Sequence, residues 1–358
     1  MSYIKKLTKK QLFLPIFSMI LVMLINMIYD VANGNTFYNF FTISINNGIL
    51  YGRLIDILNR GSEAAILAIG MTLVVAASAG TDISVGSVMS LAGGVCCVLL
   101  AGAGNVNVSE FAVPMWVGVV AGIFVACVCG AINGALVAGL KIQPMVATLI
   151  LYSAGRAIGL LLCNSSIIYI NVEAFKVFGG YTWIFPTPVL IAAACILVTA
   201  LVLKFTALGT YVQAVGINKD AARISGYKSA AIIFICFVIC GMFAGIAGII
   251  TTSRIYSADT NNIGLNLEMD AILAVALGGN SLGGGRFRLS GSIIGAYTIQ
   301  AITTTLYALG VSSAQAPVFK AIIVIVIVAI QSPAVKAYFA KRSAAKQASL
   351  AAGKEVKV

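Results

Sequence analysis

Ten runs of apolar residues, separated by polar or Gly/Pro-rich breaks, follow one another along the chain near 12–28, 62–78, 84–102, 113–139, 144–163, 187–204, 229–253, 267–280, 290–310 and 317–331. Most reach the ~17–25 residues that a helix needs to cross a hydrocarbon core about 30 Å thick. A backbone in lipid has to satisfy its own hydrogen bonds, which an α-helix does. The pattern therefore predicts an all-α, polytopic membrane protein of about ten transmembrane helices, with eight as the runner-up. The eighth run is shorter than a full crossing and is expected as a bent or partial helix enclosed by protein or by a water-filled cavity. Ahead of the second run, the partly polar stretch 49–59 reads as an interfacial helix. The break at 164–186, with Tyr181 and Trp183, reads as an external loop carrying aromatic interface anchors.

The first run follows Lys5, Lys6, Lys9 and Lys10, as the core of a signal peptide would. It is longer than such a core, and no small-residue cleavage site closes it before Asp30, so it is expected to remain as the first helix.

Composition sharpens this picture. Of the 358 residues, 60% are hydrophobic and 9% charged, against roughly a quarter charged in a soluble domain, and the mean hydropathy is +1.02. A water-soluble fold is excluded. The net charge of +12 reads as Lys and Arg held on the cytoplasmic side of a bilayer, with no nucleic-acid partner expected. With the N-terminus inside, about 17 of the 23 Lys and Arg fall on that side, among them Lys141, Lys204, Lys219, Arg223, Lys228, Arg286 and Arg288. Asp30, Asp56, Glu63, Glu110, Glu173 and Asp259 fall outside. The expected organisation is a transmembrane domain over 1–335 and a basic cytoplasmic tail over 336–358, drawn to anionic lipid, with both termini inside.

Several kinds of chemistry have no residues to run them. There is no G-x-x-x-x-G-K-[ST] phosphate loop, the one Gly-Lys pair being Gly353-Lys354, so ATP hydrolysis would need another polypeptide. There is no histidine, no H-E-x-x-H and no G-x-S-x-G, which argues against an enzyme; no catalytic residue, cofactor or metal is expected. The eight cysteines lie mostly inside apolar runs without metal-type spacing and read as packing residues. An ion-coupled secondary carrier is the alternative, with Asp82, Glu268 and Asp270 as its groups. These acids lie at or near the ends of runs, whereas such carriers place theirs at mid-membrane. A third reading is a structural or receptor-like membrane protein that transports nothing.

Four segments carry more information. In 206–227, small residues at Ala214, Gly216, Ala221, Ala222 and Gly226 permit close approach to another surface, and Lys219, Asp220 and Arg223 supply polar contacts; an ordinary solvated loop is the plainer reading. The segment resembles the coupling loop of ATP-binding-cassette importers, in the A-I-G-x-N-x-x-A-A-R-x-S-G form of monosaccharide permeases. By that resemblance a loop at about 206–228 holds a helix formed by Gly216, Asn218, Ala221, Ala222, Arg223 and Gly226 that docks on the ATP-hydrolysing subunit. The stretch 78–87, Ser-Ala-Gly-Thr-Asp-Ile-Ser-Val-Gly-Ser, is similar to the family's T-G-G-I-D-L-S-V-G-S, departing at Ser78, Ala79 and Thr81. There Asp82 or Ser84 either caps the helix starting near Val85 or serves transport directly.

The stretch 132–149 resembles N-G-x-L-V-x-x-x-K-I-x-P-F-V-A-T-L, with Lys141 at a cytoplasmic turn and Pro144 in the first turn of the next helix. Within it Asn133, deep in a run, is expected to face the protein interior or the pathway. The stretch 259–286 is similar to E-L-D-A-I-A-A-V-x-x-G-G-x-S-L-x-G-G-R. The matches keep the family's order over nearly all of the chain after the first run, and the combination of 55–60, 68–72, 141–144 and 259–262 most resembles the galactofuranose-importer branch.

The resemblance implies a permease bundle that translocates a monosaccharide, galactofuranose or a related pentose or hexose, across the bacterial cytoplasmic (inner) membrane. The implied partners are an ATP-binding subunit, an extracytoplasmic sugar-binding protein docking around 30–59, 164–186 and 256–266, and a second copy or a related permease. A sugar path needs polar groups in an apolar bundle. The candidates are Asp82, Ser84, Asn133, Tyr152, Ser153, Arg156, Thr298, Gln300, Thr303 and Thr304. Ser and Thr also bond routinely within their own helices, and Arg156 either lines the path or pairs structurally.

Overall fold

Each of the ten apolar runs is helical in the computed structural model, which describes residues 12–331 apart from 33, 35 and 47. The tail expected over 336–358, its boundary at 335/336 and the lysines before Leu12 lie outside the described residues. The helices are α1 (Phe13–Ala32), α2 (Arg53–Ser78), α3 (Val85–Ala101), α4 (Met115–Gly134), α5 (Pro144–Leu162), α6 (Thr187–Phe205), the short α7 (Leu208–Ile217) and α8 (Lys219–Ile224), then α9 (Ser229–Ile255), α10 (Leu267–Leu277), α11 (Leu289–Ala308) and α12 (Ala316–Gln331). A π-helical turn, Ala135–Gly139, extends α4. Six of them, α1, α2, α4 with its extension, α5, α6 and α9, are long and apolar enough to cross a membrane. The residues form two compact units, one ending at Thr305 and one beginning at Leu306, in the last turn of α11. The second carries α12.

In the first unit α2 is the core. From Ala64 onward it is apolar nearly all round and buried as far as Ala77, as a helix segment without a polar face must be. It packs against α9, α6, α10 and α7, while α3 packs between α4, α5 and α9. The α4–α9 pair makes the most extensive contact. A Cβ at Gly130 would strike the backbone of Phe237, and one at Gly241 would strike that of Ala126, so glycines on facing helices let the backbones touch.

The expected interfacial helix at 49–59 does not form. Ile49–Tyr51 is strand β2, paired antiparallel with β1 (Ser44–Asn46), and from Arg53 the chain is already in α2. Two of its polar residues, Arg53 and Asn59, have partners on other helices. Arg53 pairs with buried Asp30 of α1 at 2.8 Å, so Asp30 ties two helices together instead of facing a partner.

Three loops meet at one end of the unit. Strand β3 (Asn107–Val108) pairs parallel with β4 (Ile168–Ile170), which pairs antiparallel with β7 (Ser257–Ala258). Beneath this sheet a second apolar cluster gathers Cys96, Cys97, Leu100, Cys163, Ile170 and Phe175. Strands β5 (Tyr181–Thr182) and β6 (Phe185–Pro186) make a hairpin with Trp183 at its tip, 91% exposed. At the opposite end the C-terminus of α2, the 140–143 turn, α7 and the 284–285 turn come together; Gly285 N–H donates to the Ala76 carbonyl at 2.9 Å.

Candidate functional site

The 206–228 segment folds as the two short helices α7 and α8, and each end of α8 is built from its sequence. Asn218 adopts an extended conformation and its side-chain oxygen accepts from the N–H groups of Asp220 (3.1 Å) and Ala221 (3.0 Å), an N-cap. At the other end Gly226 takes φ +86°, Tyr227 N–H donates to the Ala222 carbonyl and Gly226 N–H to that of Arg223, a Schellman closure that a left-handed glycine permits.

The candidate coupling residues divide in two. Ala222 is buried, and a Cβ on Gly216 would overlap the Ala76 carbonyl oxygen and lie 2.6 Å from Gly285 N. These two, with Ser229 Oγ donating to the Lys219 carbonyl at 3.1 Å, hold the segment to the bundle. Asp220, Ala221, Arg223 and Ile224 are exposed, Ile224 at 86%, with Ile217 beside them at 65%. Ile224 leaves most of a large apolar side chain free.

A second site lies deep in the bundle. Gly248 of α9 packs on the backbone of Met89 and Thr252 packs on Gly93, so α3 enters roughly 20 Å along α9 at 1.5 Å per residue, near its middle. The chain from Gly80 to Ile83 therefore runs back into the bundle without helical hydrogen bonds, and such a backbone has to be enclosed by protein. Side chains supply its bonds. Thr148 Oγ1 accepts from Ile83 N–H at 3.1 Å, and Asp82 Oδ1 accepts from Ser84 N–H at 2.9 Å and from Ser84 Oγ at 2.6 Å. Asn133 Nδ2 donates to Ser84 Oγ at 2.8 Å. Three of the candidate path residues thus form one network, and all are buried. Of the two capping candidates Ser84 does not cap, since it has helical angles (φ −78°, ψ −10°) and its hydroxyl is held by Asp82 and Asn133, whereas Asp82 accepts the Ser84 N–H at the start of α3.

Opposite, residues 259–266 descend from β7 to meet α3. Arg156 Nη1 donates to the carbonyls of Thr260 (2.8 Å), Asn261 (2.7 Å) and Ile263 (3.2 Å), and Ser90 Oγ donates to that of Thr260 at 2.8 Å. One guanidinium replaces the ladder this irregular segment lacks. A Cβ on Gly86 would overlap Glu268 Oε2 and the Gly264 carbonyl oxygen, so the starts of α3 and α10 touch at glycines. Glu268 is 1% exposed and its Oε2 has no hydrogen-bond partner. The 256–266 stretch was expected as an external docking loop, yet Thr260, Ile263 and Gly264 are buried here and only Asn261, Asn262, Leu265 and Asn266 are exposed.

The remaining path candidates stand apart from this network. Tyr152 contacts α3 through its backbone carbonyl, which accepts from Ser87 Oγ. Gln300 lies against Gly61 of α2, with Nε2 3.4 Å from Thr304 Oγ1, and Thr298 and Thr303 bond within α11.

Sequence reasoning missed a third cluster near the sheet end. Arg254 pairs with Glu63 at 3.0 Å and donates to the carbonyl and side-chain oxygens of Asn59, and Thr251 Oγ1 donates to Glu63 Oε1 at 2.9 Å. A Cβ on Gly179 would strike Arg254, so the 164–186 loop rests directly on this cluster. The signal was Glu63 one residue inside an apolar run, where an acid needs a partner.

Residues 53–331 match the protein-family model described as branched-chain amino acid transport system / permease component. The chain is 42% identical over 301 residues to the galactofuranose transporter permease protein YtfT of Escherichia coli K12, covering 82% of this chain and 84% of that protein. It is 36% identical over 343 residues to the fructose import permease protein FruF of Bifidobacterium longum, covering 93% and 90%. To the ribose import permease protein RbsC of Escherichia coli K12 it is 36% identical over 299 residues, covering 82% and 87%. No solved structure matches.

Proposed function

The chain belongs to the branched-chain amino acid transport system / permease component family, and from that premise we propose that it is the membrane-spanning permease subunit of an ATP-driven importer of a monosaccharide, galactofuranose or a related pentose or hexose. The sugar class rests on relatives named for galactofuranose, fructose and ribose, the first of them at 42% identity. Hydrolysis of ATP falls to a separate subunit that docks on the exposed face of α8. The observation that carries this reading is the build of α8, capped at Asn218, closed at Gly226, anchored through Gly216 and Ala222, and presenting Ile224 outward. A push on α8 is transmitted through Gly216 to the end of α2, the core helix of the bundle.

In this reading the ten helices matching the apolar runs cross the inner membrane, α10 completing its crossing through the irregular 259–266 segment, with the opposite end cytoplasmic and the sheet end external. Domain 1–335 is the permease and 336–358 a cytoplasmic tail. The sugar-binding protein docks at the sheet end, over the Trp183 hairpin, and a second copy or a related permease completes the channel. The path draws on Asp82, Ser84, Asn133, Tyr152, Arg156 and Gln300, the first three opening to cargo only when the junction of α3 and α10 parts. A second reading, the ion-coupled carrier, takes support from one observation: Asp82 and Glu268 are buried at that junction, deeper than their places in the sequence suggest. The test is uptake of labelled galactofuranose, ribose, fructose and galactose into vesicles holding this chain with candidate ATPase and sugar-binding partners. Saturable uptake of one sugar that needs both partners supports the permease; no uptake of any of the four removes the sugar from the proposal.

A further inference from the structure

At the opposite end a cavity of about 280 Å³ lies between the α2–α3 connection, the turn from α4 into α5, and the segment joining α7 to α8. Lys141 lines one wall and Lys219, the first residue of α8, another; Ser78 and Gln143 add a hydroxyl and an amide. Neither lysine has an ion-pair partner among the described residues. No carboxylate lines the cavity. Two of its wall residues, Ala79 (φ +55°) and Lys141 (φ +58°), hold the left-handed conformation without being glycine, a strain that the surrounding structure has to impose.

The wider field has the same sign. Lys204, Arg223, Lys228, Arg286 and Arg288 stand at this end, with Asp220 the acid beside them in sequence and absent from the lining. A cleft lined by one sign of charge and walled by apolar residues concentrates counter-ions. Two lysines lining one cavity from separate segments suit an anion that can accept from both at once. Phosphate does so, and lysine binds it as a point charge.

We propose that this cavity is a phosphate-binding site that takes the phosphate of a soluble ester or of an anionic lipid headgroup between Lys141 and Lys219. Its occupant links α8 to the α4–α5 turn and so stiffens the segment on which the ATPase is proposed to dock. The site stands on its own geometry, whether or not the cargo is a sugar.

The test uses the full chain in phosphatidylcholine nanodiscs. Its unfolding midpoint is followed with ribose 5-phosphate or inorganic phosphate in solution, against chloride at equal ionic strength, and separately with phosphatidylglycerol added to the disc. A saturable rise of about 2–4 °C with a soluble phosphate, lost in K141Q/K219Q and kept in K141R/K219R, supports the site and names a soluble source. The same pattern with phosphatidylglycerol alone names the headgroup. No rise with any probe, or an equal rise in K141Q/K219Q, overturns the proposal. Should K141Q/K219Q fail to fold, acylation of the wild-type lysines decides: Lys141 slowed at least about threefold by the probe, with Lys176 at the sheet end unchanged, supports it, and unslowed Lys141 refutes it.

Discussion

Replacing Ile224 by aspartate separates docking from folding. The side chain is 86% exposed and touches nothing that holds the bundle together, so the substitution should change the stability of the chain by no more than about 0.5 kcal/mol. Covering an isoleucine on a partner is worth about 1.5–3 kcal/mol, which a buried aspartate forfeits, so affinity for the ATPase subunit should fall roughly 10- to 150-fold. The assay is binding of the purified ATPase subunit to the chain in nanodiscs, with the unfolding midpoint recorded on the same sample. Sugar uptake should fall in parallel while the midpoint stays within about 1–2 °C. Unchanged affinity with an intact fold would refute the assignment of this face; a large drop in midpoint would show that Ile224 packs internally and that the reasoning from exposure was wrong.

Gly216→Val should behave in the opposite way, because a side chain there meets the Ala76 carbonyl and Gly285 N and breaks the bond between them. A loss of about 2–4 kcal/mol in stability is expected by denaturant titration, combining overpacking with a lost hydrogen bond. Glu63→Gln and Arg254→Met should each cost about 3–5 kcal/mol by stranding a buried partner, and the double variant should recover at least about 1 kcal/mol of the summed loss; additive losses would deny the pairing. Arg156→Met removes three charge-assisted bonds to the 260–263 carbonyls and should cost about 3 kcal/mol or more, and Arg156→Lys should recover less than half because the shorter lysine side chain ends its ammonium one atom short of the Nη1 position. Full recovery by lysine in thermal unfolding would show that charge alone matters there.

The helices were legible because lipid leaves an apolar run of this length little choice: 12–28 and 229–253 became α1 and α9 with their ends shifted by only a few residues. The ends of α8 were legible too, since Asn218 and Gly226 are residues whose local chemistry starts and stops a helix. Depth was not. Nothing in the alternation of polar and apolar positions says that α3 begins near the middle of α9, or that 259–266 turns inward, because both follow from glycine contacts between distant segments, Gly86 with Gly264 and Gly248 with Met89. The stretch 49–59 was misread for a related reason. Its charges looked like an interfacial face until Asp30 and Arg53 proved to be partners across two helices. The three-stranded sheet at the loop end had no signal, its strands being two or three residues long and drawn from loops far apart in sequence.

The most direct measurement is the energy source of uptake. The chain is reconstituted in proteoliposomes with its ATPase and sugar-binding partners, and labelled sugar is followed with ATP on the side of the ATPase, with a proton or sodium gradient alone, and with ATP plus ionophores. The account predicts accumulation with ATP that persists when ionophores collapse every gradient and that disappears in Ile224→Asp. Accumulation by the chain alone under an ion gradient, insensitive to ATP, would contradict it and move the mechanism to Asp82 and Glu268.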